Sequence, residues 1–174
     1  MTKLVPPVAL LDHMQGPSKA RVTLLQYGDY ECPSCGAAYP IVKAVQKKMG
    51  VRLRFAFRNF PLAQHPHAMH AAEVAEAAGL HNKFWDMHDM LYKHQSALDD
   101  QSLLGYAIDL GLDPDVIAKE ASNEKILARL RADLKSGTES GVQGTPAFFI
   151  NGESHNGAWD EESLIAALEL ALEE

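Results

Sequence analysis

The sequence predicts an α/β domain in which a β-α-β unit and a β-β-α unit enclose an all-helical block. Val51, Leu53, Phe55 and Phe57 alternate with Arg52, Arg54, Ala56 and Arg58, the period of a strand with one buried face. From Pro61 to about Gly141 the texture is helical, punctuated by capping and breaking residues. Asn151-Gly152, directly after the apolar run Ala147-Phe148-Phe149-Ile150, is the strongest hairpin signal in the chain.

In chain order, a polar arm precedes Arg21 to Tyr27, a strand rich in β-branched and apolar residues. Gly28, Asp29, Tyr30 and Glu31 form the turn that leads to Cys32. A helix follows at once, with Ala38, Ile41, Val42, Val45 and Met49 recurring at spacings of three and four, and Gly50 closes it. Pro40 within that pattern predicts a kink. The helix is long enough for a crossover, so the strands on either side of it are expected to be parallel.

The helical insertion spans about residues 62–141 and is divided by Gly79, by Asn82 as an N-cap, by Asp99, by Gly111, by Asp113-Pro114 and by Asn123. After it, Thr145-Pro146 leads into the strand Ala147–Ile150, and Ser154 to Asn156 form the return strand. Asp160 caps a last helix through Leu164, Ile165, Leu168 and Leu172. With no repeat, low-complexity tract or linker, residues 1–174 read as a single domain.

With 174 residues, 47% hydrophobic and 22% charged, the chain can bury a core without a stabilising disulfide. A formal net charge of −7 argues against a nucleic-acid partner, because such proteins present a basic face to phosphate. No apolar run reaches the length of about 18 residues needed to span a bilayer. Read as it stands from Met1, the chain has no signal-peptide core and is expected in the cytoplasm; with an export signal removed, it would be periplasmic or secreted. A monomer is expected.

The chemistry is concentrated in Cys32-Pro33-Ser34-Cys35, which holds both cysteines of the chain. A bridge closing so short a loop constrains the unfolded chain little, so the pair is better explained by reactivity than by stability. Two cysteines at this spacing also make half of a zinc site, but zinc needs two more ligands, and here the motif follows a strand and opens a helix. A helix start favours a thiolate over a thiol through its unpaired N–H groups and partial positive charge. Cys32 is therefore expected to be the nucleophile and Cys35, one turn further in, the more buried resolving thiol. Pro33 suits the first helical position, where its missing donor costs nothing.

These residues resemble thioredoxin-fold thiol-disulfide oxidoreductases of the DsbA type over nearly the whole chain. The likeness rests on Asp29-Tyr30-Glu31-Cys32-Pro33-Ser34-Cys35 after the first strand, on the helical block after the second, and on Gly141-Val142-Gln143-Gly144-Thr145-Pro146-Ala147-Phe148-Phe149-Ile150-Asn151-Gly152. The resemblance implies a thioredoxin fold with an all-helical insertion between its β-α-β and β-β-α halves. It also implies that Pro146 is a cis proline facing the cysteines, and that Pro33, Ser34, Thr145 and Pro146 contact the substrate, whose extended backbone would pair by strand addition. Pro40 matches a helix-kinking proline of thioredoxins.

Two positions depart from that family. Its strong oxidants carry a histidine between the cysteines where this chain has Ser34, and a hydroxyl stabilises a thiolate far less than an imidazolium does. Gln26, six residues before Cys32, stands where relatives carry a buried carboxylate; it cannot accept the proton of Cys35, which leaves Asp29, Glu31 or water as bases. Either acid could instead be a solvated charge that raises the Cys32 pKa slightly.

His65, His67 and His70 do not share one helical face as paired metal ligands would, and read as a polar turn leading into a helix. Phe84, Trp85, Met87, Met90 and Leu91 have the spacing of core, and Arg129, Arg131, Asp133 and Lys135 that of a solvated face. The expected function is thus dithiol-disulfide exchange with protein or small thiol substrates, without metal or other cofactor, coupled to a redox partner protein or glutathione. The rivals are an enzyme resembling kappa-type glutathione transferases and chromene-carboxylate isomerases, which usually have a serine or one cysteine at position 32, and a non-enzymatic metal or peptide binding module.

Overall fold

The structure, a computed structural model, describes residues 1–173. The described residues form two compact units, one of residues 1–28, 37–58 and 135–173 and one of residues 29–36 and 59–134.

The first unit holds a five-stranded sheet of order β1-β3-β2-β4-β5, made of β1 (His13–Gln15), β2 (Val22–Gly28), β3 (Leu53–Asn59), β4 (Ala147–Ile150) and β5 (Glu153–His155). The helix α1 (Pro33–Met49) connects β2 to its neighbour β3 and continues through Pro40 to Met49, with Gly50 next. Strand β4 runs antiparallel to β2, with Gln26 opposite Phe148, and the hairpin to β5 turns at Asn151 and Gly152. Both turn residues have positive φ, 48° and 84°, which explains why this pair and not bulkier residues stand there. The last helix, α7 (Glu161–Glu173), packs on β2 and β4 through the buried Leu164 and Leu168, and Asp160 caps it by accepting from the Ser163 N–H at 3.0 Å.

Two expectations fail at strand β3. Val51 lies in a 3-10 turn (Gly50–Arg52) and is 79% exposed, so the strand starts only at Leu53. The strand is also not one-faced: Ala56 and Arg58 are buried as well as Phe55 and Phe57, in a strand that lies inside the sheet between β1 and β2. Arg58 is tolerated there by full pairing. Its guanidinium makes a two-point ion pair with Asp12 at 2.7 and 2.9 Å and donates to the carbonyls of Pro6 and Pro7 and to Ser136 Oγ. Burial alone would lower its pKa, but the bond to Asp12 outweighs this and raises it. The polar arm is therefore structural: it supplies β1, the anchor Asp12, and an outer pairing in which Ser154 N–H donates to the Thr2 carbonyl and Leu4 N–H to the Gly152 carbonyl. Strand β1 escapes a sequence reading because three residues, His-Met-Gln, show no period. The return strand begins at Glu153, one residue earlier than expected.

The second unit holds the helices α2 (Ala68–Gly79), α3 (Phe84–Lys93), α4 (Asp100–Asp109) and α5 (Pro114–Ala121), and the first part of α6 (Glu124–Glu139). Six alanines of α2 are buried, and this small-residue surface lets α3, α4 and α5 pack closely against it. Asp99 and Asp113 cap α4 and α5 as expected, and Asn123 accepts from the Lys125 N–H at the start of α6. Asn82 does not cap α3: it sits in the preceding turn at φ 59°, a left-handed conformation that asparagine tolerates, and Lys83 precedes the helix without a side-chain bond. Phe84, Met87 and Leu91 are core, while Trp85 and Met90 are half-buried. The supposed solvated face of α6 is only partly so. Asp133 is buried and accepts from the Asn59 N–H at 2.9 Å, and Arg129 pairs with the buried Glu76 at 3.0 Å; Arg131 and Lys135 are exposed.

Candidate active site

The helix start that carries Cys32 is built by its own turn. Asp29 accepts from the N–H groups of Glu31, at 2.7 Å, and Cys32, at 3.1 Å, through Oδ1, which fixes the chain just before α1. Pro33 is the first residue of α1, and the first turn contains no acidic residue to offset the partial positive charge at the helix end. Cys32 is 6% exposed and Cys35 fully enclosed, while Pro33 and Ser34 between them are exposed. Both cysteines carry thiols in this structure.

Asp29 is not a solvated charge. Its side chain is wholly buried, and its second oxygen, Oδ2, accepts from the Leu62 N–H at 2.8 Å and lies 2.7 Å from His65 Nδ1. A buried carboxyl group is tolerated in such a place when its lone pairs are met in this way. The bond to Asp29 raises the pKa of His65; burial opposes this, and the charges of Asp29, Cys32 and Glu31 add to the rise. Glu31 is paired with His67, accepting from its N–H at 2.6 Å and lying 2.9 Å from its Nδ1. Burial pushes the Glu31 carboxyl up, but the bonds from His67 outweigh it and hold the carboxyl below its usual range. His70 faces Glu73 and Asp100, so the three histidines serve different carboxylates.

Gln95, just beyond α3, clamps the same turn. Its Nε2 donates to the carbonyls of Tyr30, at 3.0 Å, and Cys32, at 2.7 Å. Tyr30 is buried, its hydroxyl 2.9 Å from His88 Nδ1 and its ring 4.9 Å from that of Tyr92. Burial, and then the proximity of Cys35, raise the pKa of Tyr92 and keep it a neutral phenol beside the dithiol.

The structure thus gathers Cys32, Pro33, Ser34 and Cys35 in one turn with Asp29 and Glu31, and adds His65 and Gln95. His65 read as part of a polar turn, and Gln95 carried no signal in the sequence. Thr145 and Pro146 belong to the sheet unit. The peptide bond between them is cis, and Pro146 lines a cavity of about 200 Å³ with Thr2, Gln143, Phe148 and His155. Gln26 is buried in β2, and its Nε2 has no hydrogen-bond partner among the described residues.

Residues 9–170 match the family model described as Thioredoxin. The chain belongs to the thioredoxin family. Among solved structures, the chain superposes on oxidised BdbD from Bacillus subtilis with a TM-score of 0.88 at 21% identity, covering 100% of this chain and 98% of that one. It also superposes on the thiol-disulfide exchange protein alpha-DsbA2 from Wolbachia pipientis, with a TM-score of 0.82 at 23% identity, covering 92% and 87%. These likenesses establish the fold as a DsbA-type thioredoxin fold with a helical insertion. A curated relative, Na(+)/H(+) antiporter NhaA 1 of Salinispora arenicola, is 43% identical over 158 residues, which are 90% of this chain and 24% of that protein. The chain therefore spans about a quarter of the length of that relative. No helix among the described residues is long and apolar enough to cross a membrane.

Proposed function

We propose that the chain is a thiol-disulfide oxidoreductase that exchanges disulfides with protein or small thiol substrates through Cys32 and Cys35. The observation that carries this reading is the asymmetry of the pair: Cys32 precedes a helix start free of acidic residues, and Cys35 is enclosed one turn inside it. In the reducing direction, the Cys32 thiolate attacks a client disulfide, forming a mixed disulfide and releasing one client thiolate. The Cys35 thiolate then attacks Cys32 Sγ, closing the Cys32–Cys35 disulfide and releasing the second client thiolate. Two electrons pass from the dithiol to the client, and the reverse sequence oxidises a client dithiol. Pro33 and Ser34 border the nucleophile, and Thr145 and Pro146 are proposed to contribute the backbone on which an extended client pairs. A redox partner protein or glutathione resets the pair.

Cys35→Ser tests the reading, because it removes the group that resolves the intermediate. With oxidised glutathione, the variant should accumulate a covalent adduct on Cys32 that the native protein clears, visible by mass spectrometry. A variant whose Cys32 alkylates readily yet forms no adduct would overturn the exchange mechanism.

A further inference from the structure

The carboxylate of Asp29 touches two things at once: through Oδ1 the N–H of Cys32, and through Oδ2 the imidazole of His65. An enclosed anion beside a nucleophilic thiol is by itself a handicap, since like charge opposes formation of the thiolate. Ser34 brings no charge to offset it. The loop 60–67 does, by seating an imidazole on that same carboxylate.

We propose that His65, oriented by Asp29, is a positioning residue for disulfide exchange, supplying the positive charge that stabilises the Cys32 thiolate from outside the Cys-Pro-Ser-Cys motif. The inference rests on the exchange reading above. Its geometric ground is the shared acceptor: three backbone N–H groups, those of Glu31, Cys32 and Leu62, fix the carboxylate, and the carboxylate fixes the ring through Nδ1. With Nδ1 so engaged, protonation of the ring adds its charge at Nε2, and the ring is 19% exposed, so the proton can exchange with solvent.

The charged groups that face His65 are Asp29, Glu31 and Cys32. Asp29 spends its charge in the direct bond. Glu31 is bonded to His67, to its backbone N–H and its Nδ1. The third group that faces the ring is the Cys32 thiol. Interaction between two titrating groups is mutual, so a Cys32 thiolate that favours the His65 cation is favoured by it to the same degree.

His65→Gln keeps a polar side chain of similar reach and removes the charge. Its iodoacetamide profile should show the acid constant of Cys32 reduced about tenfold, and its equilibrium with glutathione should shift about tenfold toward the Cys32–Cys35 disulfide, about 30 mV more reducing. His65→Lys should recover part of both changes. A residue with a merely structural role would lower stability and leave the thiol profile and potential in place, and that result in folded His65→Gln would overturn the proposal.

If His65→Gln does not fold, nuclear magnetic resonance of the imidazole decides in the reduced native protein against Cys32→Ser. His65 should titrate at lower pH without the thiolate, and identical titration in the two would equally overturn it. The adduct experiment on Cys35→Ser separates the two readings. An adduct together with a potential insensitive to His65 refutes only the tuning, whereas absence of any adduct refutes the exchange on which it rests.

Discussion

At Gly36 there is room for a hydrogen and no more. A Cβ built there would lie 2.1 Å from Gln95 Oε1 and 2.8 Å from its Cδ, and that amide is the clamp on the Tyr30 and Cys32 carbonyls. Gly36→Ala is expected to push the flexible Gln95 side chain aside and to cost about 1–3 kcal/mol through the two lost hydrogen bonds. Gln95→Ala should cost a similar amount, and the double variant less than the sum, since both act on one contact; urea titration measures all three. At this scale the sequence discloses the reacting atoms but not their supports. Cys32 and Cys35 announce themselves by spacing, whereas Asp29, His65 and Gln95 acquire their roles only when a turn, a loop and a helix end meet, and no local pattern encodes that meeting.

Secondary-structure elements were legible in proportion to how local their causes are. The caps at Asp99, Asp113 and Asp160 depend on residues two or three positions away and are readable directly. Asp99→Ala, which leaves the Ser102 N–H without its acceptor at 3.1 Å, is expected to destabilise the start of α4. The urea midpoint should fall with the slope unchanged, because only one helix end is altered. Strand β3 was legible as a strand but not in its burial. Alternation of Arg52, Arg54 and Arg58 suggests one wet face, yet Arg58 is enclosed because Asp12, forty-six positions earlier, is there to pair with it. The same distant partner explains why an arm without period becomes part of the sheet.

Across the whole molecule, the pH dependence of stability follows from shifts of opposite sign. His65 has a raised pKa in the folded state, so its contribution is complete below the unfolded value of about 6.5 and is lost as pH rises through the folded one. Glu31, Asp99 and Asp160 are lowered, so their contributions are complete above about 4.5 and are lost in acid. Thermal unfolding followed by circular dichroism should therefore show greatest stability between about pH 4.5 and 6.5. His65→Gln should flatten the decline above about pH 6.5 and should also soften the loss in acid, because the His65 charge is one of those that hold Glu31 low. The order of assembly is a separate matter. Residues 59–134 of the helical unit form one unbroken stretch, while the sheet unit is drawn from three. During synthesis the helical stretch leaves the ribosome before β4 exists, and β2 must wait for it, since Leu24 pairs with Ile150. Thr2 and Leu4 wait longer still, because their partners Ser154 and Gly152 lie beyond the hairpin turn. Until then the apolar strand β2 has an open edge, and that nascent interval is when it is most open to pairing with another chain.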